Sequence, residues 1–377
     1  MTRKHLIEGF RHEKGLHCDS SAMRDLFEFN GHPMSEALAF GLDATMGFGF
    51  FDTTNSISFI PNSTIPFFLG GKNGTIEPDS LACRLLGLII KKQTFTNSDK
   101  AWLEAKKKLE QDQPLILKAD LGYLPYFQLE EEIHFGGHAI TLAGYDEEKM
   151  ISYIGDTEFE GFQEVPIDAL KRARSSEYGS KFMWPQNAQF SIFRRSDGKC
   201  PPLVAGIKLS IKKVVDNMLR ASINNAGIQG LKLFSKTIPE WRQKLDGTQK
   251  DDSGNEISTA RMMFELMHGY IESWGTGGAL FRNLYKKFLQ ELLNLTELKE
   301  GPRAWSDDEF KIIEECIPDI SDSAKNWTLL ADNLKNLAKK YQDNCLEHVD
   351  LDYLHGICLS IVKKEEDTFT NLSKIKV

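Results

Sequence analysis

One of the six cysteines lies where the sequence predicts the first turn of a helix. Cys18 is followed by Asp19-Ser20-Ser21, which offer helix caps, and by apolar residues at helical spacing as far as Phe29. The dipole and free N–H groups of a helix N-terminus favour a thiolate, and they can donate hydrogen bonds to an oxyanion. We therefore predict that Cys18 is a nucleophile, and the alternative is a buried structural thiol.

A nucleophilic cysteine needs a base, and His138 is the candidate because it follows Gly136-Gly137 and opens a predicted strand. Residues 138–156 are predicted to form a β-hairpin, with strands over 139–145 and 150–154. The small residues before His138 leave room for a substrate and for the facing helix. An ordinary, partly buried histidine is the alternative interpretation.

The same hairpin brings a carboxylate towards the histidine. If a three-residue loop follows Tyr145, His138 lies opposite Asp156 on one face, where the carboxylate can bond Nδ1 and orient the imidazole. A register one residue longer would put Asp156 on the other face. Glu158 and Glu160 are the alternative acids, although their alternation is typical of a solvated strand edge.

The organisation of the chain changes at a polar segment that is rich in turn formers, residues 194–202. With 377 residues the chain is longer than one hydrophobic core usually fills, so we expect two domains. Helix and strand patterns mix before the segment, and long helical patterns follow it. We expect an α+β domain over residues 1–195 and an all-α domain over residues 203–377, with separate helices near 306–316 and 324–342.

The net charge of −8 argues against nucleic acid as a partner, because such proteins present a basic face. No stretch approaches about 18 consecutive apolar residues, so no membrane segment is expected. The first residues are basic but no apolar segment follows them, unlike in a secretory signal. We expect a cytoplasmic protein.

The cysteines form no CxxC pair, and no histidines lie beside them at zinc spacing. In a chain of this length they are expected to be free thiols in a reducing compartment. We predict no metal site.

Several short motifs stand out along the chain. They are Gly15-Leu16-His17-Cys18-Asp19-Ser20-Ser21-Ala22-Met23, Ser35-Glu36-Ala37, Phe40-Gly41-Leu42, Asp120-Leu121-Gly122-Tyr123-Leu124-Pro125-Tyr126, Gly137-His138-Ala139-Ile140, Gly144-Tyr145-Asp146 and Asp156. Together they resemble the N-terminal domain of the butirosin biosynthesis protein H family. Gly275-Thr276-Gly277-Gly278-Ala279-Leu280-Phe281-Arg282, with Tyr285 and Phe288-Leu289, is similar to the helical domain of unknown role that follows it in that family.

The resemblance implies an N-terminal domain with the α+β fold of papain-like and bacteriocin-processing cysteine peptidases. It implies that Cys18 is the nucleophile, His138 the base and Asp156 the orienting acid. The family prototype moves an acyl group from an acyl carrier protein to an amine of an aminoglycoside. The resemblance therefore implies an acyltransferase of secondary metabolism, with an acyl carrier protein and a small-molecule amine as partners.

The implied reaction needs no cofactor of the chain's own, because the phosphopantetheine arrives on the carrier. The oligomeric state stays open. Carrier proteins are acidic whereas this chain is net negative, so docking requires a local basic patch. Lys106-Lys107-Lys108 and Lys171-Arg172 are the candidate patches.

One departure from the peptidases concerns the oxyanion hole. The peptidases carry a glutamine several residues before the cysteine, whereas residues 11–17 here contain none. The second oxyanion donor is therefore unassigned, and proteolysis is less favoured. A cysteine peptidase or amidase is still the second hypothesis. A non-catalytic binding protein is the third, and it predicts that Cys18 and His138 lie too far apart to meet.

Five further residues are candidates for substrate binding: His17, Asp120, Tyr123, Tyr126 and Arg282. Asp120 and the two tyrosines would line an acceptor pocket in which the carboxylate binds an amine, and the alternative is an ordinary turn. Arg282 would meet a carboxylate or the phosphopantetheine phosphate, and the alternative is an interdomain salt bridge.

Overall fold

The computed structural model describes residues 3–52, 65–129, 133–179, 181–250, 254–301, 304–340 and 348–376. The chain divides into two compact units, the first formed by residues 1–39 and 75–201 and the second by residues 40–74 and 202–377. None of the described helices is both long enough and apolar enough to cross a lipid bilayer.

The described residues form strands and helices whose bounds are as follows. The strands are β1 (Lys4–Leu6), β2 (Met46–Asp52), β3 (Phe67–Lys72), β4 (Leu88–Gln93), β5 (Leu115–Ala119), β6 (His138–Asp146), β7 (Ile151–Gly155), β8 (Phe162–Pro166), β9 (Gln189–Arg194), β10 (Thr248–Lys250) and β11 (Glu256–Ser258). The helices are α1 (Cys18–Phe29), α2 (Glu36–Asp43), α3 (Leu81–Leu85), α4 (Ser98–Leu109), α5 (Ile167–Ser175), α6 (Leu203–Leu219), α7 (Gly227–Thr237), α8 (Trp241–Lys244), α9 (Thr259–His268), α10 (Arg282–Leu292), α11 (Thr296–Lys299), α12 (Asp307–Lys340) and α13 (His348–Leu372).

The first unit is built on a seven-stranded sheet with the order β4-β9-β5-β6-β7-β8, in which β1 also pairs with β6. Every described pair of neighbouring strands in this sheet is antiparallel. β5 and β6 are buried along their whole length, in agreement with the nearly continuous apolar runs of their sequences. The predicted α+β class is therefore confirmed for this region.

The β6–β7 hairpin has a different register from the one predicted. Thr141 pairs with Gly155, whereas the predicted register puts Thr141 opposite Tyr153. The difference arises from a longer turn and from a β-bulge within the hairpin. Because strand side chains alternate with a period of two, a shift of two residues still leaves Asp156 on the predicted face.

Helix α1 begins at Cys18, as the sequence predicts, and it packs against β5 and β6. Its packed face is apolar and contains the fully buried Leu26 and Phe27. This packing places the N-terminus of α1 near the start of β6, where His138 lies.

The second unit includes residues 40–74, which the sequence analysis placed in the first domain. There β2 and β3 form a two-stranded sheet that packs against α6 and α7. Phe48 and Phe50 of β2 are buried and lie against the ring of Phe234 in α7. Burial of these rings explains why residues 40–74 belong to the second unit. The residue pattern of a strand does not indicate which hydrophobic core the strand joins.

The region over residues 203–377 is helical but not all-α, which corrects the prediction. β10 and β11 pair as a short antiparallel hairpin within it. The sequence predicts a loop for this polar, glycine-containing segment. Strands of only three residues each are too short to leave a recognisable alternating pattern. Residues 251–253, between the two strands, lie outside the described part of the chain.

The two helices predicted over 306–316 and 324–342 form one helix, α12, which continues through Pro318. Its buried stripe runs without a break past the proline, through Cys316 and Ile320. Packing of this stripe against α9, α10 and α13 outweighs the loss of one backbone hydrogen bond at the proline. Residues 341 and 342 lie outside the described residues.

A candidate cysteine-histidine-aspartate site

His138 and Asp156 form a buried hydrogen-bonded pair. His138 Nε2 lies 2.7 Å from Asp156 Oδ2, and the Asp156 side chain has no exposed surface. The other carboxylate oxygen accepts the backbone N–H of Glu158 at 3.2 Å. The alternative acids, Glu158 and Glu160, are exposed. Asp156 therefore has the geometry to hold the imidazole ring.

Cys18 lies close enough to the same imidazole to raise its pKa through hydrogen bonding and charge. Since Asp156 occupies Nε2, the nitrogen that remains for Cys18 is Nδ1. This is the reverse of the expected arrangement, in which the acid bonds Nδ1. Burial lowers the pKa of His138, but the charges and hydrogen bonds of Asp156 and Cys18 outweigh it and raise the pKa to about 10. These contacts thus favour the imidazolium over the neutral ring.

A buried carboxylate shapes the loop that enters helix α1. Glu36 accepts the backbone N–H groups of Leu16 at 2.8 Å and His17 at 2.9 Å, together with the hydroxyl of Ser20 at 2.8 Å. Burial raises the pKa of Glu36 despite these donors. His17, predicted to bind substrate, is the N-cap of α1, because its side chain accepts the N–H of Ser20 at 3.3 Å. These contacts position Cys18.

His12 connects helix α1 to the turn that carries Asp156. Its Nδ1 lies 2.6 Å from Asp25 in α1, and its Nε2 lies 2.8 Å from the carbonyl oxygen of Asp156 and 3.1 Å from that of Phe159. Carboxylate and carbonyl oxygens only accept, so both ring nitrogens must donate and His12 is an imidazolium. Burial lowers the pKa of His12, but the hydrogen bond and charge of Asp25 outweigh it and raise the pKa.

Tyr126 belongs to the same site, although the sequence analysis assigned it to an acceptor pocket. Its hydroxyl donates to Asp156 Oδ2 at 2.7 Å, which is the oxygen that also accepts from His138. Burial and the Asp156 charge raise the pKa of Tyr126 well above its ordinary value, so the phenol keeps its proton. The neighbouring Phe127 ring lies edge-on to the imidazole, with 5.8 Å between the centroids.

Asp120 lies in a separate buried cluster. One oxygen accepts the backbone N–H groups of Gly122 and Phe135, and the other accepts from Ser176 at 2.5 Å and from His134 at 2.9 Å. These four contacts use the ordinary accepting capacity of a carboxylate, and the residue has no exposed surface. The carboxylate thus joins three loop segments and is satisfied by donors of the chain itself.

The two remaining candidates for substrate binding also pack within the protein. The half-buried ring of Tyr123 lies 5.0 Å from that of His134, and the guanidinium group of Arg172 lies over it. Arg282 belongs to the second unit, where it is fully buried and pairs with Glu365 at 2.7 Å. Its remaining nitrogen donates to two backbone carbonyl groups, so the guanidinium is satisfied without a ligand.

The other described thiols differ from Cys18. Cys83, Cys316 and Cys358 are buried, and burial raises the pKa of both Cys316 and Cys358 to about 12. Cys200 is exposed, and Cys345 lies outside the described residues. Within the described part of the chain, no group of histidine, cysteine and acidic side chains could hold a metal ion.

Three residues of the site were missed in the sequence. Lys118 of β5 is buried and bonds to Asp19 at 2.6 Å, and a lysine within an apolar strand was a signal that could have been used. Glu36 and His12 carried no comparable signal, because their partners lie far along the chain or in an irregular loop.

A half-buried cysteine at a helix start, beside a buried histidine–aspartate pair at an antiparallel sheet, makes the first unit a candidate thiol enzyme. Residues 17–157 match the family described as butirosin biosynthesis protein H, N-terminal, and residues 168–372 match a domain of unknown function (DUF4872). The chain therefore belongs to the family in which a butirosin biosynthesis protein H N-terminal domain precedes this domain of unknown function, and the predicted resemblance is confirmed. A comparison with curated proteins found no match.

The protonation of His138 tests the electrostatics of the site directly. We expect its imidazole to stay protonated until the pH approaches about 10, as followed by NMR of the protein with labelled histidine. In Asp156→Asn the titration should move to lower pH, because the negative charge that favours the imidazolium is removed. An unchanged midpoint in Asp156→Asn would show that Asp156 does not control this group.

The His12 contacts predict a pH-dependent contribution to stability. His12→Phe should lower the free energy of unfolding in urea by about 1.5–3 kcal/mol, the usual value for hydrogen bonds to charged groups. Folding raises the pKa of His12. The difference in unfolding free energy between His12→Phe and the native chain should therefore be largest below pH 6.5, and it should shrink as the pH rises through the pKa of His12 in the folded chain.

His32→Phe is the control for this measurement, since burial and the charge of Arg194 lower the pKa of His32. Because folding lowers the pKa of His32, the pH dependence has the opposite sign. Any contribution of His32 to the free energy of unfolding should decrease as the pH becomes acidic. The same pH dependence in both variants would contradict the assignment of His12 as an imidazolium.

Proposed function

We propose that this protein is a cysteine-dependent acyltransferase of butirosin-type secondary metabolism. It would move an acyl group from a thioester on an acyl carrier protein, through Cys18, to an amine. The observation that carries the proposal is the buried hydrogen bond between His138 and Asp156, with Cys18 close enough to act on the same imidazole. Membership of the butirosin biosynthesis protein H family supports the biosynthetic setting.

In the first half-reaction, the thiolate of Cys18 attacks the thioester carbonyl carbon, and the π electron pair moves to the carbonyl oxygen. The intermediate then re-forms the carbonyl group and expels the carrier sulfur. His138 Nδ1–H donates its proton to that sulfur, which leaves as a thiol. The raised pKa of His138 supports this role, because the proton is held until a stronger base appears beside it.

In the second half-reaction, an amine attacks the acyl-cysteine and neutral His138 accepts the proton that the amine loses. The bond to Cys18 Sγ breaks, and the products are an amide and the regenerated thiolate–imidazolium pair. Asp156 stabilises the imidazolium in both halves and Tyr126 fixes the position of the carboxylate. The thioester is already activated, so the scheme uses no nucleotide and no resident cofactor.

We further propose that the first unit has the papain-like arrangement that the family resemblance implies. A helix that begins at the cysteine and packs on an antiparallel sheet carrying the histidine supports this proposal. Hydrolysis by the same nucleophile is the second candidate, with water in place of the amine. The non-catalytic hypothesis requires Cys18 and His138 to lie apart, and the influence of Cys18 on the His138 pKa supports the catalytic proposal instead.

Intact-mass analysis after exposure to small acyl-thioester mimics tests the proposal. We expect one acyl adduct that maps to Cys18, that disappears in Cys18→Ala, and that forms about 10²–10⁴-fold more slowly in His138→Ala. Amines should discharge the adduct faster than water does. Discharge by water alone would favour the hydrolase, and failure of every thioester to label Cys18 would overturn the scheme.

Cys200→Ala is the matched control, because Cys200 is the exposed free thiol among the described residues. If labelling followed accessibility alone, Cys200 would react faster than the half-buried Cys18. We expect Cys200→Ala to label like the native chain. Loss of the adduct in that variant would remove the support for Cys18.

A basic surface in the first unit supports docking of an acidic carrier. Lys91, Lys92 and Lys108 line an open depression of about 400 Å³. Of the patches that the sequence suggested, Lys106 is buried against a carboxylate and Lys171 pairs with an aspartate. We propose the depression as the surface for the carrier because three lysines meet there, of which Lys92 also pairs with the exposed Glu77.

Reversing the charge of this surface should weaken the reaction with a carrier selectively. In the double variant Lys91→Glu and Lys92→Glu we expect kcat/KM for the loaded carrier to fall about tenfold or more, with a weaker salt dependence. The rate with a small thioester should stay unchanged. Lys149→Glu, an exposed lysine outside the depression, is the control. Equal losses with both substrates, or equal losses in the control, would contradict the docking assignment.

A further inference from the structure

Attack on a thioester places negative charge on the carbonyl oxygen, which an enzyme stabilises with donors that are already in position. One donor is available at the start of α1, because the first N–H groups of a helix have no partner within it. The glutamine that supplies a second donor in the related peptidases is missing from residues 11–17.

Lys118 holds an ammonium group beside the nucleophile. It belongs to β5, next to Ala119, which pairs with His138 of β6. Its Nζ donates to Asp19 Oδ1 at 2.6 Å and to the carbonyl oxygen of Gly137 at 3.0 Å. Asp19 follows Cys18 in the chain and Gly137 precedes His138, so the ammonium contacts the neighbours in sequence of both residues.

The charge of Lys118 acts on Cys18 as well as on Asp19. Burial lowers the pKa of Lys118, but the charges of Asp19 and Cys18 outweigh it and keep the pKa above its ordinary value. An ammonium group has three N–H donors, and the two hydrogen bonds described above use two of them. The third donor has the sulfur atom of Cys18 within electrostatic range.

We propose that Lys118 Nζ is the second oxyanion donor for the acyl group on Cys18, an inference that rests on the proposed acyltransferase function. As the Cys18 sulfur–carbon bond forms and the π electron pair moves to oxygen, the ammonium donates a hydrogen bond to that oxygen. No proton is transferred. When the carrier sulfur leaves, the electron pair returns and the carbonyl group re-forms.

Two reactions of Cys18 separate this role from a structural one. Acylation by a small thioester passes through an oxyanion, whereas alkylation by iodoacetamide forms none at the carbon attacked. In Lys118→Met we expect the acylation rate constant to fall about 10²–10³-fold, the usual effect of removing one oxyanion donor. The alkylation rate constant, measured on its pH-independent plateau, should fall less than about tenfold. This reaction loses only the attraction between the Lys118 charge and the thiolate, and no hydrogen bond to an oxyanion.

Lys106→Met is the matched control, since Lys106 is also a buried lysine of the first unit with a carboxylate partner, Glu147. We expect it to leave both rate constants unchanged. Lys118→Gln provides a neutral donor, so its selective loss of acylation should be smaller than in Lys118→Met. If Lys118→Met does not fold, Lys118→Gln carries the comparison alone.

The outcomes distinguish the two proposals. If the native chain is alkylated but no thioester acylates Cys18, the proposed function fails. If the native chain is acylated, a ratio of acylation to alkylation that is unchanged in the Lys118 variants would overturn the oxyanion role. A larger loss of acylation than of alkylation, absent from Lys106→Met, would support it.

Discussion

The carboxylate of Asp156 is the group on which the rest of the site depends. A fully buried negative charge is costly unless it is paired and hydrogen bonded. His138, Tyr126 and the backbone of Glu158 supply the donors, and the imidazolium supplies the charge. The same compensation keeps the proton on His138 and leaves its other nitrogen for Cys18. One buried charge thus favours the protonated form of His138 and fixes the orientation of its ring.

Two further buried charges hold the helix that begins at Cys18 against the elements that carry His138 and Asp156. His12 connects Asp25 in α1 to the backbone of Asp156, and Lys118 connects Asp19 in α1 to the residue before His138. Buried polar groups with satisfied partners tolerate few alternative arrangements, because each displaced donor or acceptor would lose its partner in a medium without water. The site is therefore positioned by charge pairs as much as by apolar packing.

For some residues whose type suggested ligand binding, the structure shows partners that lie far along the chain. Asp120 is satisfied by donors from three segments, and Arg282 pairs with Glu365, which is 83 residues away. Conversely, Lys118 was overlooked in an apolar strand because its partner Asp19 lies 99 residues before it. A pattern of residue types indicates that a charged group is unusual, but it does not indicate which group compensates the charge.

By itself, the sequence determined the start of α1 at Cys18, the α+β character of the first region and the helical character of the second, because these follow from local periodicity and capping. It also determined the family, because the family is recognised from short motifs. Only the tertiary structure decided the hairpin register, the core that residues 40–74 join, and the nitrogen of His138 that meets Asp156. These features depend on a bulge, on packing between distant segments and on the direction of a ring, none of which leaves a local pattern in the chain.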